Sequence, residues 1–76
     1  MFVTLWLKGV VIFTMGNFGM GLQECNMLKT IIENDIRTAY IEAPEKMVTD
    51  TGEKILETQY RVSCMKEQLP IGYMDE

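Results

Sequence analysis

Residues 21–40, GLQECNMLKTIIENDIRTAY, keep one periodicity over their whole length, and the rest of the chain has to be arranged around it. At about 100° per residue, Leu22, Cys25, Leu28, Ile32, Ile36, Ala39 and Tyr40 fall in one arc of roughly a third of the circumference, with Gln23, Glu24, Asn26, Thr30, Glu33, Asn34 and Arg37 outside it. The pattern predicts an amphipathic helix with one face turned to a core. Met27 and Ile31 sit off that arc, and Lys29 at its edge can lay its stem along apolar surface with its ammonium in water. Gly21 serves as N-cap, and Glu24 in the first turn suits the positive end of the helix dipole. Glu33 and Arg37 are spaced to pair along the helix. Pro44 ends the helix at or before Ala43, because the residue before a proline avoids helical backbone angles.

Upstream, residues 2–7 and 10–15 are rich in β-branched and aromatic side chains and flank Lys8 and Gly9, a two-residue connection with a glycine available for positive φ. This is a hairpin signal. In regular register Leu7 faces Val10, Leu5 faces Ile12 and Val3 faces Thr14 on one side, while Phe2, Thr4, Trp6, Val11, Phe13 and Met15 share the other. Both faces are apolar, and one helix can cover only one of them. Phe2, Trp6, Val11, Phe13 and Met15 are therefore the candidate interface, and burying their surface against another chain would be worth about 25 cal/mol per Å² before association costs. Met20, Met27, Ile31, Met65 and Met74 add adaptable apolar surface.

Downstream, residues 45–58 are polar, with Thr-Asp-Thr-Gly at 49–52 reading as a turn and a short helix possible from Glu53. From Gln59 the chain alternates strictly: Tyr60, Val62 and Cys64 on one side, Arg61, Ser63 and Met65 on the other. That alternation predicts a third strand. Residues 67–76 contain Pro70 and Gly72, have no period, and are expected to end loosely or dock on a neighbour. The expected fold is α+β: a single ββαβ domain over residues 1–66, with an irregular tail over 67–76. Its three-stranded, mostly antiparallel sheet has order 2-1-3, the most apolar strand is central, and one helix packs on one face. A third strand parallel to the second is the competing arrangement.

Composition narrows the function. Seventy-six residues form one domain that buries only about 60% of its unfolded surface, so a disulfide, a metal or a partner is needed to stabilise it. With no histidine and two cysteines, a closed zinc site of thiolate and imidazole cannot be built, and neither a metal nor another cofactor is expected. The net charge of -4 is carried by residues 42–76, which hold eight acidic and four basic side chains, against three of each in residues 1–41. No basic patch for nucleic acid is present, and Lys46, Lys54, Arg61 and Lys66 break up the acidic half too much for it to mimic DNA. The apolar N-terminal stretch is interrupted by Lys8 and Gly9 and is too short to span a bilayer, so a membrane partner is not expected; a signal or anchor segment is the competing reading of it.

Cys25 lies on the core side of the helix and Cys64 on the strand face with Tyr60 and Val62. The two sulfurs approach if that face meets the helix. A disulfide closing about 40 residues would stabilise by about 4 kcal/mol in the chain-entropy model; the other reading is two buried thiols packing as small hydrophobes. Cysteine–histidine catalysis is excluded for want of histidine. Glu33 with Asp35, and Glu53 with Glu57, are the obvious carboxylate pairs, but the first point in different directions on a helix and the second sit in a solvated stretch with Lys54. Gly-Asn-Phe-Gly-Met-Gly at 16–21 is glycine-rich between strand and helix, yet lacks the lysine and spacing of a phosphate-binding loop.

The order of parts resembles short reading frames of tailed bacteriophages and prophages. These share an apolar hairpin at the start, here residues 2–15. An aromatic residue is then followed by Glu-Cys opening a helix, here Phe18 with Glu24 and Cys25. Near the end comes an aromatic-x-Val-x-Cys strand, here residues 60–64. The resemblance implies a phage origin and a paired-cysteine ββαβ module, and it implies no activity. The expectation is a non-enzymatic structural or interaction protein, a minor virion component docking through an apolar sheet face to copies of itself or to other virion proteins. The alternative is a small disulfide-stabilised inhibitor, secreted or periplasmic, directed at a host protein.

Overall fold

The computed structural model describes residues 1–75. Three strands and one long helix follow in the order β1 (Phe2–Leu7), β2 (Val10–Gly16), α1 (Leu22–Glu42) and β3 (Tyr60–Met65). The sheet has order β2-β1-β3 and is antiparallel throughout, so the fold is α+β. β3 pairs with β1 and not with β2; because both outer strands are antiparallel to β1, β3 runs in the same direction as β2 without bonding to it.

The hairpin turns where Lys8 and Gly9 adopt positive φ of 52° and 79°, the handedness that two-residue hairpin loops require. Leu7 faces Val10 and Trp6 faces Val11. The register then slips, so that Leu5 faces Phe13, Thr4 faces Thr14, Val3 faces Met15 and Phe2 faces Gly16. A β-bulge at Ile12 accounts for the slip, and it corrects the regular register expected above. The physical consequence is large, because a shift of one residue sends every later side chain of the strand to the opposite face. Phe13 and Met15 thereby leave the Trp6 side and join Val3 and Leu5 on the other. Strand β2 ends at Gly16, whose φ is 136° and where a Cβ would stand 2.6 Å from the Met1 carbonyl oxygen; only glycine fits there.

Helix α1 starts at Gly21, which caps it through the backbone alone, and stops before Ala43 and Pro44. It lies across β3 and β1. Its inward arc meets Val3, Val62 and Leu5 through Cys25, Leu28, Ile32 and Ile36, and of all its residues only Cys25 is fully buried. Met27 and Ile31 are exposed, as their place off the arc implies. At its far end the Tyr40 hydroxyl donates to the Ile55 carbonyl at 2.6 Å. Burial, with Tyr60 and Glu57 nearby, raises that phenol's pKa above its ordinary value. Arg37 reaches Glu57 at 4.0 Å. The expected in-helix pairing with Glu33 therefore gives way to a tie between α1 and the segment leading into β3.

That segment departs from expectation. Val48 and Lys54 pair as an isolated bridge around a turn at Gly52, and Ile55 is buried beneath the loop. The helical turn expected from Glu53 is a 3-10 turn at Glu57–Gln59 instead. β3 then places Val62 and Cys64 toward α1, while Arg61, Ser63 and Met65 lie opposite Trp6, Thr4 and Phe2.

The tail is the largest correction. Instead of fraying or reaching a neighbour, residues 69–75 fold over the sheet face away from α1. Leu69 packs with Trp6, Val11 and Met65 in a second small core. Val11 donates its N–H to the Tyr73 carbonyl at 2.9 Å, Gly72 donates to the Val11 carbonyl at 2.7 Å, and Asp75 donates to the Gly9 carbonyl at 2.9 Å. Glu76 lies outside the described residues. The lid anticipated from another chain is supplied by this one, and the tail's own apolar residues, Leu69 and Tyr73, make it possible.

On the same face Thr4 is fully buried and its hydroxyl has no partner among the described residues. A stranded buried hydroxyl costs about 1–3 kcal/mol. Thr4→Val keeps the branched shape without the hydroxyl and is expected to raise the unfolding free energy by about 1 kcal/mol, read as a higher urea midpoint. A lower midpoint would mean that the hydroxyl finds a partner in solution.

Candidate interaction surface

The sulfurs of Cys25 and Cys64 are bonded, with Cα atoms 6.0 Å apart across 39 residues of sequence. The bond joins the start of α1 to the last residues of β3, and it lies within the α1-side core. Neither cysteine is free. Among the described residues no group of three His, Cys, Asp or Glu is placed to hold a metal ion. Among the same residues no helix is long and apolar enough to cross a membrane.

The five apolar residues expected to form one interface are divided between the two faces. Phe2, Trp6 and Val11 are buried on the tail side, Trp6 at 3% exposure. Phe18 stands edge-on to Phe2 with ring centres 5.2 Å apart. Tyr73 stands edge-on to Trp6 at 6.1 Å, the Arg61 guanidinium lies 4.6 Å from the centre of the indole ring, and the indole N–H donates to the Ser63 hydroxyl at 2.9 Å. Trp6 and Val11 form a core with Leu69 of the tail, and Phe2 is buried with Phe18 against it, so the interface assignment fails for all three because the chain's own residues already cover the surface they would offer. A groove of about 560 Å³ remains beside Trp6, lined by Ser63, Met65, Leu69 and Tyr73. The Arg61 guanidinium there is engaged by the indole and by Asp75 at 3.3 Å, and Lys66 and Glu67 also line the groove.

Phe13 and Met15 have the opposite fate. The bulge turns them to the α1 side, and α1 lies over β3 and β1, so the β2 third of that face is left open. Phe13 is 43% exposed and Met15 39%, with Ile12 at the bulge 40%. Three adjacent large apolar side chains half in water on an edge strand form a surface with a cost, since natural edge strands are ordinarily blunted by charge or proline. Here residues 9–23 carry no charged side chain.

The backbone of that edge is partly open as well. The Lys8 N–H donates to the Gln59 carbonyl at 3.0 Å, which fixes the alternation of the ladder. Even-numbered residues of β1 bond to β3 and odd-numbered ones to β2. Phe13 and Met15 therefore bond inward to Leu5 and Val3, whereas Thr14 and Gly16 direct N–H and C=O outward. The tail satisfies the outward groups of Val11. Beyond it, residues 12–16 are a free sheet edge among the described residues. Nothing in the sequence marks Ile12 as a bulge, and that gap alone misplaced Phe13 and Met15. Comparison of the chain with protein-family models, with curated proteins and with solved structures finds no match.

Proposed function

We propose that this chain is a small non-enzymatic interaction protein of phage origin, a minor virion component that docks through an apolar sheet surface. The observation that carries the docking is the open third of the α1-side face, where Phe13 and Met15 stand exposed together on an uncharged strand. It moves the docking surface from Trp6 to β2. The virion setting rests on the likeness of the hairpin, the Glu-Cys helix and the Tyr-x-Val-x-Cys strand to phage reading frames. In particles purified from the source lysate, quantitative mass spectrometry is expected to find the chain in fixed proportion to other virion proteins. Phe13→Ser is expected to reduce its incorporation about tenfold with the denaturation midpoint of the isolated protein nearly unchanged.

The disulfide favours a second reading, a secreted or host-directed inhibitor that needs durability outside a reducing cytoplasm. Recovery of the chain from infected-cell extract or medium, with none in purified particles, would select that reading over the first.

A further inference from the structure

We propose that the occupant of the open surface is a second copy of this chain, joined antiparallel edge to edge along β2 about a two-fold axis through Thr14. The inference rests on the docking reading above and names its partner. Four observations lead to it. The free edge is bounded on both sides: the tail occupies Val11 at one end, and Gly16 with its φ of 136° turns the chain away at the other. What remains, residues 12–16, is centred on Thr14. An antiparallel copy therefore sets Ile12 opposite Gly16, Phe13 opposite Met15 and Thr14 opposite itself, with no residue of either segment left over.

The side chains agree with that symmetry. Phe13 and Met15 are the exposed apolar residues on the α1 side, and each would meet the other type across the junction, an aromatic ring against a thioether, twice per dimer. Thr14, which directs its backbone outward, also carries a hydroxyl without a partner among the described residues. That hydroxyl is buried on the Thr4 side of its own sheet, so the junction takes the backbone groups of Thr14 and not its side chain. Charge selects the same place. Each chain carries -4, so two copies repel in general, and residues 9–23 are the longest stretch on which they can meet without opposing like charges. The product is a six-stranded sheet in which the β2 edge is closed and β3 forms each outer edge.

Sedimentation equilibrium of the oxidised full chain over a wide concentration range is the test, combined with amide hydrogen exchange. A dimer is expected, with the Thr14 and Gly16 amides protected at high concentration and exchanging like loop amides on dilution. Met15→Lys is expected to weaken self-association about a hundredfold, since symmetry removes the contact twice. The substitution lowers the net charge to -3, so general repulsion cannot explain the loss, and the exposed site accommodates lysine without unfolding. A dimer whose Thr14 amide exchanges freely, or which Met15→Lys leaves intact, overturns the proposal. A chain monomeric at every concentration overturns it too. If Met15→Lys then abolishes binding to a purified virion protein, the docking reading survives with a different occupant; if the variant binds every candidate as the parent does, both fall.

Discussion

Without the Cys25–Cys64 bond, the protein loses about 4 kcal/mol of stability in the chain-entropy account of a cross-link closing some 40 residues. A chain of this length has roughly 4–11 kcal/mol in total, at about 0.05–0.15 kcal/mol per residue. The loss is therefore between about a third and the whole of that stability. The local packing makes the same point. Cys25 is the only fully buried residue of α1, and it contributes to a core of small side chains, Val3 and Val62, with partly covered Leu28, Ile32 and Ile36 around it. The helix has few other attachments: the Tyr40 hydroxyl on Ile55 and the solvent-exposed Arg37–Glu57 pair, of which the latter is worth little in water. Guanidinium denaturation of the double variant Cys25→Ala, Cys64→Ala against the oxidised parent should show the drop. Far-ultraviolet dichroism should show the helix lost along with it. Equal midpoints for the two proteins would mean that the sheet and helix hold together by packing alone.

Trp6→Ala is expected to cost about 4 kcal/mol, near the middle of the range for deleting a buried aromatic. The indole is the largest buried side chain on the tail face, and four separate contacts converge on it. They are the Leu69 packing, the Tyr73 ring, the Arg61 guanidinium and the hydrogen bond to Ser63, which would be left without its donor. The loss should appear first in the tail. Amides that hold it to β2, those of Gly72 and Asp75, should exchange faster than those of the β1–β3 ladder. Phe13→Ala is the internal comparison, because Phe13 is an aromatic of similar bulk on the same hairpin but nearly half exposed. It should cost far less in the monomer. Comparable losses for the two variants would show that the tail does not cover Trp6 in solution.

These two experiments address the parts of the fold with the most different legibility. The helix could be read nearly to the residue. Its apolar spacing has one period, its start follows a run of glycines and its end precedes a proline, and all three are local causes acting on local structure. Cys25 and Cys64 were placed on facing surfaces by the same means, periodicity 3.6 for one and 2 for the other. Their bonding, however, depended on how α1 crosses the sheet. The hairpin turn was equally legible, because Gly9 serves one of its two positive-φ positions, the other being taken by Lys8.

The bulge at Ile12 was not legible, for a specific reason. Register is read from the alternation of apolar and polar side chains, and β2 is apolar at Val10, Val11, Ile12, Phe13 and Met15, so either register satisfies the pattern. The tail failed for the complementary reason. Leu69, Ile71 and Tyr73 lie among proline and glycine without a period, and their partner, the Trp6 face, is some 60 residues away along the chain.

Local chemistry by itself determined the strands, the long helix, the hairpin and the absence of histidine-dependent catalysis, since each depends on neighbours in the chain or on composition. Tertiary structure alone decided which apolar face stays open. That choice turns on where a one-residue slip is absorbed and on what the last residues lie against, and both are settled by long-range packing that no stretch of this sequence specifies alone.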